Sequence, residues 1–319
     1  MTGTAETSAG ATERDAAMPS VLALPPRTDL ALMGVGVIAV STSGPLMAAI
    51  AAPALAIAMW RNLLALVVIA PVAAVTRLTE VRGLGRREVT WALGAGALLA
   101  GHFATWVPSL KFTSVASATA LVCTQPVWVA LIAQATGHHI PRRTWLGIGI
   151  SLVAVVLLTG IDFSVEPRAL VGDLLALLGG VFAAFYTVAG AEVRRTVSTT
   201  TYTLLCYCTA ALALLPACLL LGADVWGYEP KTWLQLVALT LGAQLLGHSV
   251  FNLVLRTTSP TVVSLVLLLE VPGAAVIAAA WLGQLPPLVA LPAALLLLFG
   301  LGIVVSARPP DVEPAIPAE

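Results

Sequence analysis

Residues 101–137 read GHFATWVPSLKFTSVASATALVCTQPVWVALIAQATG, and residues 247–284 read GHSVFNLVLRTTSPTVVSLVLLLEVPGAAVIAAAWLGQ. Slid by 146 residues, the two stretches pair Gly101 with Gly247, His102 with His248, Pro126 with Pro272 and Gly137 with Gly283. The same offset pairs Gly96 with Gly242 and Pro141 with Pro287, with no gap between them. The chain is therefore an internal duplication, and the fold follows from what each copy contains.

Each copy is too apolar for water. Of 319 residues 59% are hydrophobic and 10% are charged, against about 25% charged in soluble domains. A hydrocarbon core about 30 Å thick takes about 20 apolar helical residues. Stretches of that length recur at 30–51, 53–75, 89–110, 113–135, 142–160, 170–191, 200–221, 232–254, 260–282 and 286–306. Helices are required, because backbone groups facing lipid must be satisfied within their own segment, and the runs are too long for barrel strands. The expected fold is an all-α membrane protein of ten spans. Its first five-helix repeat covers 30–160, an outer loop 161–169 and the second repeat 170–306.

Five spans per copy is an odd number, so the second copy enters the membrane from the opposite side and the repeats are inverted. With the N-terminus inside, cytoplasmic segments hold Arg14, Arg27, Arg77, Arg82, Arg86, Arg87, Arg142, Arg143, Arg194, Arg195, Arg256 and Arg308. Outer loops hold Lys111, Arg168 and Lys231. That bias places both termini in the cytoplasm. Residues 1–29 lack the basic start and continuous apolar core of a signal peptide. They and 307–319 read as disordered cytoplasmic tails. Inverted repeats suit a carrier, since two halves exchanging conformations can open a midplane site to either side in turn.

The quoted pair, with GDLLALLGGVFAAFYTV at 172–188 and AMWRNLLALVVIAP at 58–71, resembles the repeat signatures of EamA-type permeases of the drug/metabolite transporter superfamily. The resemblance covers nearly all of 30–306. It implies a ten-helix fold around a central cavity and export of amino acids, nucleobases or drugs. The family often ends its fourth and ninth spans with Gly-Glu; here the pairs are Gly137-His138 and Gly283-Gln284, so any role of that glutamate does not carry over.

Polar groups at membrane depth survive when they line a cavity or have a partner. His102, Gln125, His248 and Glu270 fall near the middle of their spans and lead the candidates. The two histidines occupy equivalent repeat positions, where each could exchange a proton or contact substrate, or bond a neighbouring helix beside Gly101 and Gly247. Glu270 is the one carboxylate deep in a span. It could carry a proton through part of a cycle, or sit neutral and bonded to another helix. Arg61, with Asn62 beside it, could pair with Glu270 or meet a substrate carboxylate; snorkelling outward is the expected behaviour. Trp106 and Tyr186 could stack on a planar substrate but are expected to pack or anchor. Asn252 shares a helical face with His248.

Pro126 and Pro272 should loosen their helices. Ser41-Thr42-Ser43-Gly44-Pro45 interrupts the first span, either as a hinge at Pro45 or as hydroxyls satisfying freed carbonyls. Asp29 and Asp173 are expected to favour helix N-termini. His138 and His139 read as a solvated loop, and Cys123, Cys206, Cys208 and Cys218 as small packing residues.

Zero net charge, from sixteen Lys plus Arg and sixteen Asp plus Glu, points away from nucleic acid. A phosphate-cradling G-x-x-x-x-G-K-[ST] loop and a zinc-type H-E-x-x-H are both missing from the sequence. No cofactor, metal or catalysis is expected. The partners expected are a small-molecule substrate and the lipid bilayer of the cytoplasmic membrane, with protons as a candidate coupling ion. A secondary transporter is the preferred reading; a channel, a non-transporting scaffold and an intramembrane enzyme are the alternatives.

Overall fold

A computed structural model describes residues 25–113, 115–159, 167–282 and 290–305, and they are helical throughout apart from short connections. The expected tails over 1–24 and 306–319, the outer loop over 161–166, and Gly283, Gln284 and Pro287 lie outside the described residues.

The helices are α1 (Arg27–Ser41), α2 (Ser43–Ala49), α3 (Ala54–Thr76), α4 (Leu78–Gly83), α5 (Arg86–Phe112), α6 (Val115–Val122), α7 (Gln125–Ala135) and α8 (Arg142–Thr159). They continue with α9 (Pro167–Val193), α10 (Thr199–Leu220), α11 (Pro230–Leu239), a π-helix (Thr240–His248), α12 (Ser249–Val254), α13 (Pro260–Leu267), α14 (Glu270–Leu282) and α15 (Ala290–Val305). Among the described residues seven helical runs are long and apolar enough to cross a membrane: Arg27–Ala49, Ala54–Thr76, Ala118–Ala135, Pro167–Val193, Thr199–Leu220, Pro230–Val254 and Pro260–Trp281. The other expected spans fall on α5, α8 and α15.

The packing repeats the sequence duplication. The 146-residue offset carries α1 onto α9, α3 onto α10, α5 onto the α11–π–α12 rod and α8 onto α15. Accordingly α3 lies along α10 and α8 along α15, and the α5–α9 contact has its counterpart where α1 meets the π-helix. Small residues allow these approaches. A Cβ on Gly96 would stand 2.6 Å from the Cys206 carbonyl oxygen, and one on Gly147 2.7 Å from that of Gly300.

Three rods are interrupted: at Thr42, at Cys123–Thr124, and at Leu268–Leu269. The last two overlap under the repeat offset, one residue out of register. Pro45, Pro126 and Pro272 do not kink helix interiors. They stand in the first turn of α2, α7 and α14, where a missing N–H costs nothing. The chain tightens into each break with three-residue bonds, Thr124 N to Leu121 O at 3.1 Å and Leu268 N to Leu265 O at 3.1 Å. At the first break hydroxyls take the spare carbonyls: Ser41 Oγ donates to Val37 O at 2.7 Å and Thr42 Oγ1 to Ala39 O at 2.7 Å.

The expected capping aspartates behave differently. Asp29 lies in the first turn of α1 but makes no side-chain cap bond to that helix. Its carboxylate accepts the Thr257 and Thr258 hydroxyls, tying α1 to the end of α12, at 2.8 Å from Thr258. Asp173 is carried past the N-terminus because α9 begins at Pro167 rather than at residue 170. At the end of α4, Glu80 accepts the Ser198 backbone N–H at 2.6 Å. Partial burial pushes this carboxyl up, but the Ser198 and Thr201 hydrogen bonds and nearby Arg77 outweigh it and hold it below the usual carboxylate range. At the opposite end, Trp60 packs edge-on against Trp226 and Trp233 at 4.6 and 4.8 Å, and its Nε1 donates to Val225 O at 2.7 Å. Such a belt suits a membrane–water interface.

Gly96→Ala should lower the unfolding temperature in detergent, at a cost of about 1–3 kcal/mol for overpacking. Gly94→Ala, whose Cβ would meet nothing within 4 Å, should be neutral or stabilise by about 0.4–1 kcal/mol. Equal shifts in the two variants would contradict this packing.

Candidate functional site

α5, the π–α12 rod, α7, α9, α13 and α14 converge on one internal cavity of about 60 Å³. It is lined by His102 and Trp106 of α5, Gln125 of α7, Tyr186 and Thr187 of α9, and His248, Asn252 and Glu270 from the second repeat. Seven of the eight candidate contact residues therefore share one wall-to-wall space; Arg61 stands behind it. Typical small-molecule sites measure about 300–1,000 Å³, so this cavity is contracted.

His102 is buried, with Nδ1 2.9 Å from the Gly179 carbonyl oxygen. A carbonyl only accepts, so Nδ1 carries the hydrogen and Nε2 of the neutral ring is left as an acceptor. Gly179 permits this approach, since a Cβ there would lie 3.0 Å from that of Trp106. Trp106 stacks on the His102 ring at 5.4 Å and 21°, and its Nε1 has no hydrogen-bond partner among the described residues. Neighbour-bonding and cavity-lining thus coexist in His102. His248, the last π-helical residue, is half-buried and meets Phe103 edge-on at 6.1 Å.

The polar groups on the cavity wall are cross-linked in pairs. Gln125 Nε2 donates to Thr187 Oγ1 at 2.9 Å, and Tyr186 Oη donates to Asn252 Oδ1 at 2.8 Å. Asn252 Nδ2 has no partner among the described residues. Behind Asn252, Arg194 donates through Nε to its carbonyl at 3.0 Å and through Nη1 to Val197 O, joining the ends of α9 and α12. Glu270 is the first residue of α14. The N-terminal end of a half-helix favours negative charge, so the break before Pro272 gives the acid a place to be charged as well as neutral.

Arg61 does not snorkel. It has no exposed surface. Nε donates to Gln244 Oε1 at 2.8 Å, Nη1 approaches Met47 Sδ at 3.7 Å, and the guanidinium carbon lies 4.3 Å from the Phe103 ring centre. The alternative, an ion pair with Glu270, is not formed either; neither residue is in any of the salt bridges among the described residues. Gln244 Nε2 also donates to Asn62 Oδ1 at 3.1 Å, so one amide serves both neighbours. Its segment is π-helical. The Gln244 carbonyl oxygen takes the Ser249 N–H, with the Ser249 and Tyr207 hydroxyls at 3.3 and 3.4 Å.

Gln244, Thr187, Tyr207 and Arg194 were not singled out by the sequence. Gln244 carries the signal used for Gln125, an amide in mid-span, but its repeat counterpart is Leu98, so the pairing of copies passes over it. The two His and Glu270 do not assemble into a metal cluster; among the described residues no group of three or more His, Cys, Asp or Glu could hold an ion.

A family model described as the EamA-like transporter family matches residues 28–160 and 170–306. An uncharacterized transporter of Archaeoglobus fulgidus is 27% identical over 160 residues, covering 49% of this chain and 55% of that relative. The match thus spans about half the length of the curated relative. A solved crystal structure superposes with a TM-score of 0.72 over 86% of this chain and 96% of its own, at 18% identity, which establishes likeness of fold.

Gln244→Leu strands a buried guanidinium and should destabilise by about 1–3 kcal/mol. Adding Arg61→Met should recover part of that loss, because replacing both partners by apolar groups removes the uncompensated charge. Chemical or thermal unfolding of the single and double variants checks this; additive losses would contradict the pairing.

Proposed function

The chain belongs to the EamA-like transporter family, and from that premise we propose that it is a secondary active transporter exporting small metabolites such as amino acids, nucleobases or amphipathic drugs. The observation that carries this reading is the shared polar cavity. Both halves contribute polar side chains to it, and its contracted volume means that a metabolite widens it by moving the halves. In this proposal ten spans form two inverted five-helix repeats over 30–160 and 170–306, with both termini in the cytoplasm and the chain in the cytoplasmic membrane. The repeats exchange conformations about the cavity.

The residues divide the work by chemistry. Trp106 and Asn252 each present an N–H unpaired among the described residues, suited to carbonyl or carboxylate oxygens of a substrate. Tyr186 orients Asn252 through its bond to Oδ1, and Gln125 is itself held by Thr187. Glu270 at its half-helix end, with His102 and His248 across the cavity, exchanges a proton or an amine contact as the cavity opens to either side. The breaks before Pro45, Pro126 and Pro272 are where half-helices turn against each other.

Purified protein in liposomes containing a pH-sensitive dye, offered amino acids, nucleobases and cationic drugs, should give saturable flux with counterflow and a proton signal that Glu270→Gln abolishes. Flux without saturation or counterflow would make the protein a channel. Replacing His102, His248 and Glu270 together without altering the pH dependence of flux would sink proton coupling. Silence across the panel, with counterflow also absent, would favour a scaffold; turnover of a substrate by the purified protein would favour an enzyme.

A further inference from the structure

Beside the central cavity lies a second one, of about 80 Å³, between the C-terminal ends of α7 and α9 and the turn joining α12 to α13. Its walls are apolar, with Val129, Val188 and Leu255, and its rim carries His138, Arg195 and Arg256. Leu255 is 4% exposed and lines both cavities. One leucine side chain is therefore a wall shared by the two spaces.

Cations outnumber carboxylates around this chamber. Glu192 meets both Arg195, with Nη1 at 3.3 Å, and Arg87 at 2.7 Å, and Asp29 lies beyond Thr258, whose hydroxyl it accepts. Arg194 turns inward to backbone carbonyls. Arg256 is exposed and, among the described residues, is in no salt bridge. His138 is half-buried in the loop after α7, with Thr136, Gly137 and His139 exposed around it, and is bonded to the Thr136 hydroxyl at 3.2 Å. A positive rim over an apolar chamber raises the local concentration of anions and accommodates an attached apolar body.

We propose that this second cavity is an entry site for amphipathic organic anions, small carboxylates with an apolar body, and that Leu255 is the partition between it and the central cavity. The anion site stands on its own geometry; its use as an entry route rests on the transporter reading. The rim belongs to segments that the charge bias places on the cytoplasmic side, so anions are captured from there. Their charged group stays with Arg195 and Arg256 while the apolar part meets Leu255.

Cys123 lines the central cavity and reports passage. In the full chain carrying Cys206→Ala, Cys208→Ala and Cys218→Ala, its modification is followed in inside-out vesicles with an anionic and a cationic methanethiosulfonate of similar size, each normalised to its rate with free thiol. The anionic reagent should react faster, and Arg256→Gln should lower the anion-to-cation ratio about tenfold, the equivalent of 1.4 kcal/mol. Arg256→Lys should restore it. Leu255→Ala should raise both rates about tenfold, with Leu255→Val between, and gel filtration checks that each variant is folded. Benzoate should slow the reaction where benzamide, its neutral isostere, does not.

An unchanged ratio in Arg256→Gln, or equal protection by benzamide, overturns the anion site. Rates indifferent to both Leu255 variants overturn the partition, and faster labelling from the outer face overturns the entry route. Labelling needs no transport, so charge-selective modification in a protein that carries nothing would retain the anion site and retire the transporter reading.

Discussion

A guanidinium with no exposed surface inside an apolar helical bundle is held by Arg61. Removing such a group from water costs several kcal/mol unless its N–H groups and charge are met. α3 carries it, α2 offers Met47, α5 lays the Phe103 ring against it, and the π-helix supplies Gln244, while Nη2 has no partner among the described residues. Phe103 in turn meets His248, and its neighbour His102 stacks on Trp106. The cavity wall is the far side of this shell.

The two copies of the repeat agree in their contacts and differ at one place. α9 is continuous where its counterpart breaks at Thr42, and α5 is a regular helix where its counterpart is π-helical. These departures touch: a Cβ on Gly247 would meet Val40 at 2.6 Å, and one on Gly242 would lie 3.7 Å from the Thr42 hydroxyl. Short π segments frequently occur at functional sites, and here the segment positions both Gln244 and His248. Among the described residues these two departures lie against each other, at the contact of α1 with the π-helix.

The duplication, the apolar runs and seven of the eight candidate contact residues were legible in the sequence because each departs from its surroundings: a glycine pattern that recurs at a fixed offset, or a polar side chain in an apolar run. Arg61 was misjudged because its distance from the end of a run says how far it must reach, not which way it faces. Asp29 does stand in the first turn of its helix, whereas Asp173 was misplaced because a cap requires a helix boundary and α9 begins earlier than its apolar composition suggests. The π-helix left no trace: Gly242 and Gly247 match Gly96 and Gly101 of α5, which stays regular. What distinguishes the two segments is tertiary, the fit of Gln244 to Arg61.

Under the repeat offset Arg61 corresponds to Tyr207, and the two flank the same Gln244 from opposite copies. Two identical half-length chains assembled head to tail would place the same residue at both positions. Two arginines there would set like charges beside each other in a space that excludes water, whereas two tyrosines would leave no cation at all. One cation beside Gln244, facing a tyrosine from the other copy, is thus open only to copies that differ in sequence. In this protein the divergence of the two copies has a chemical meaning: it sets one charge, rather than two or none, where the halves meet at Gln244.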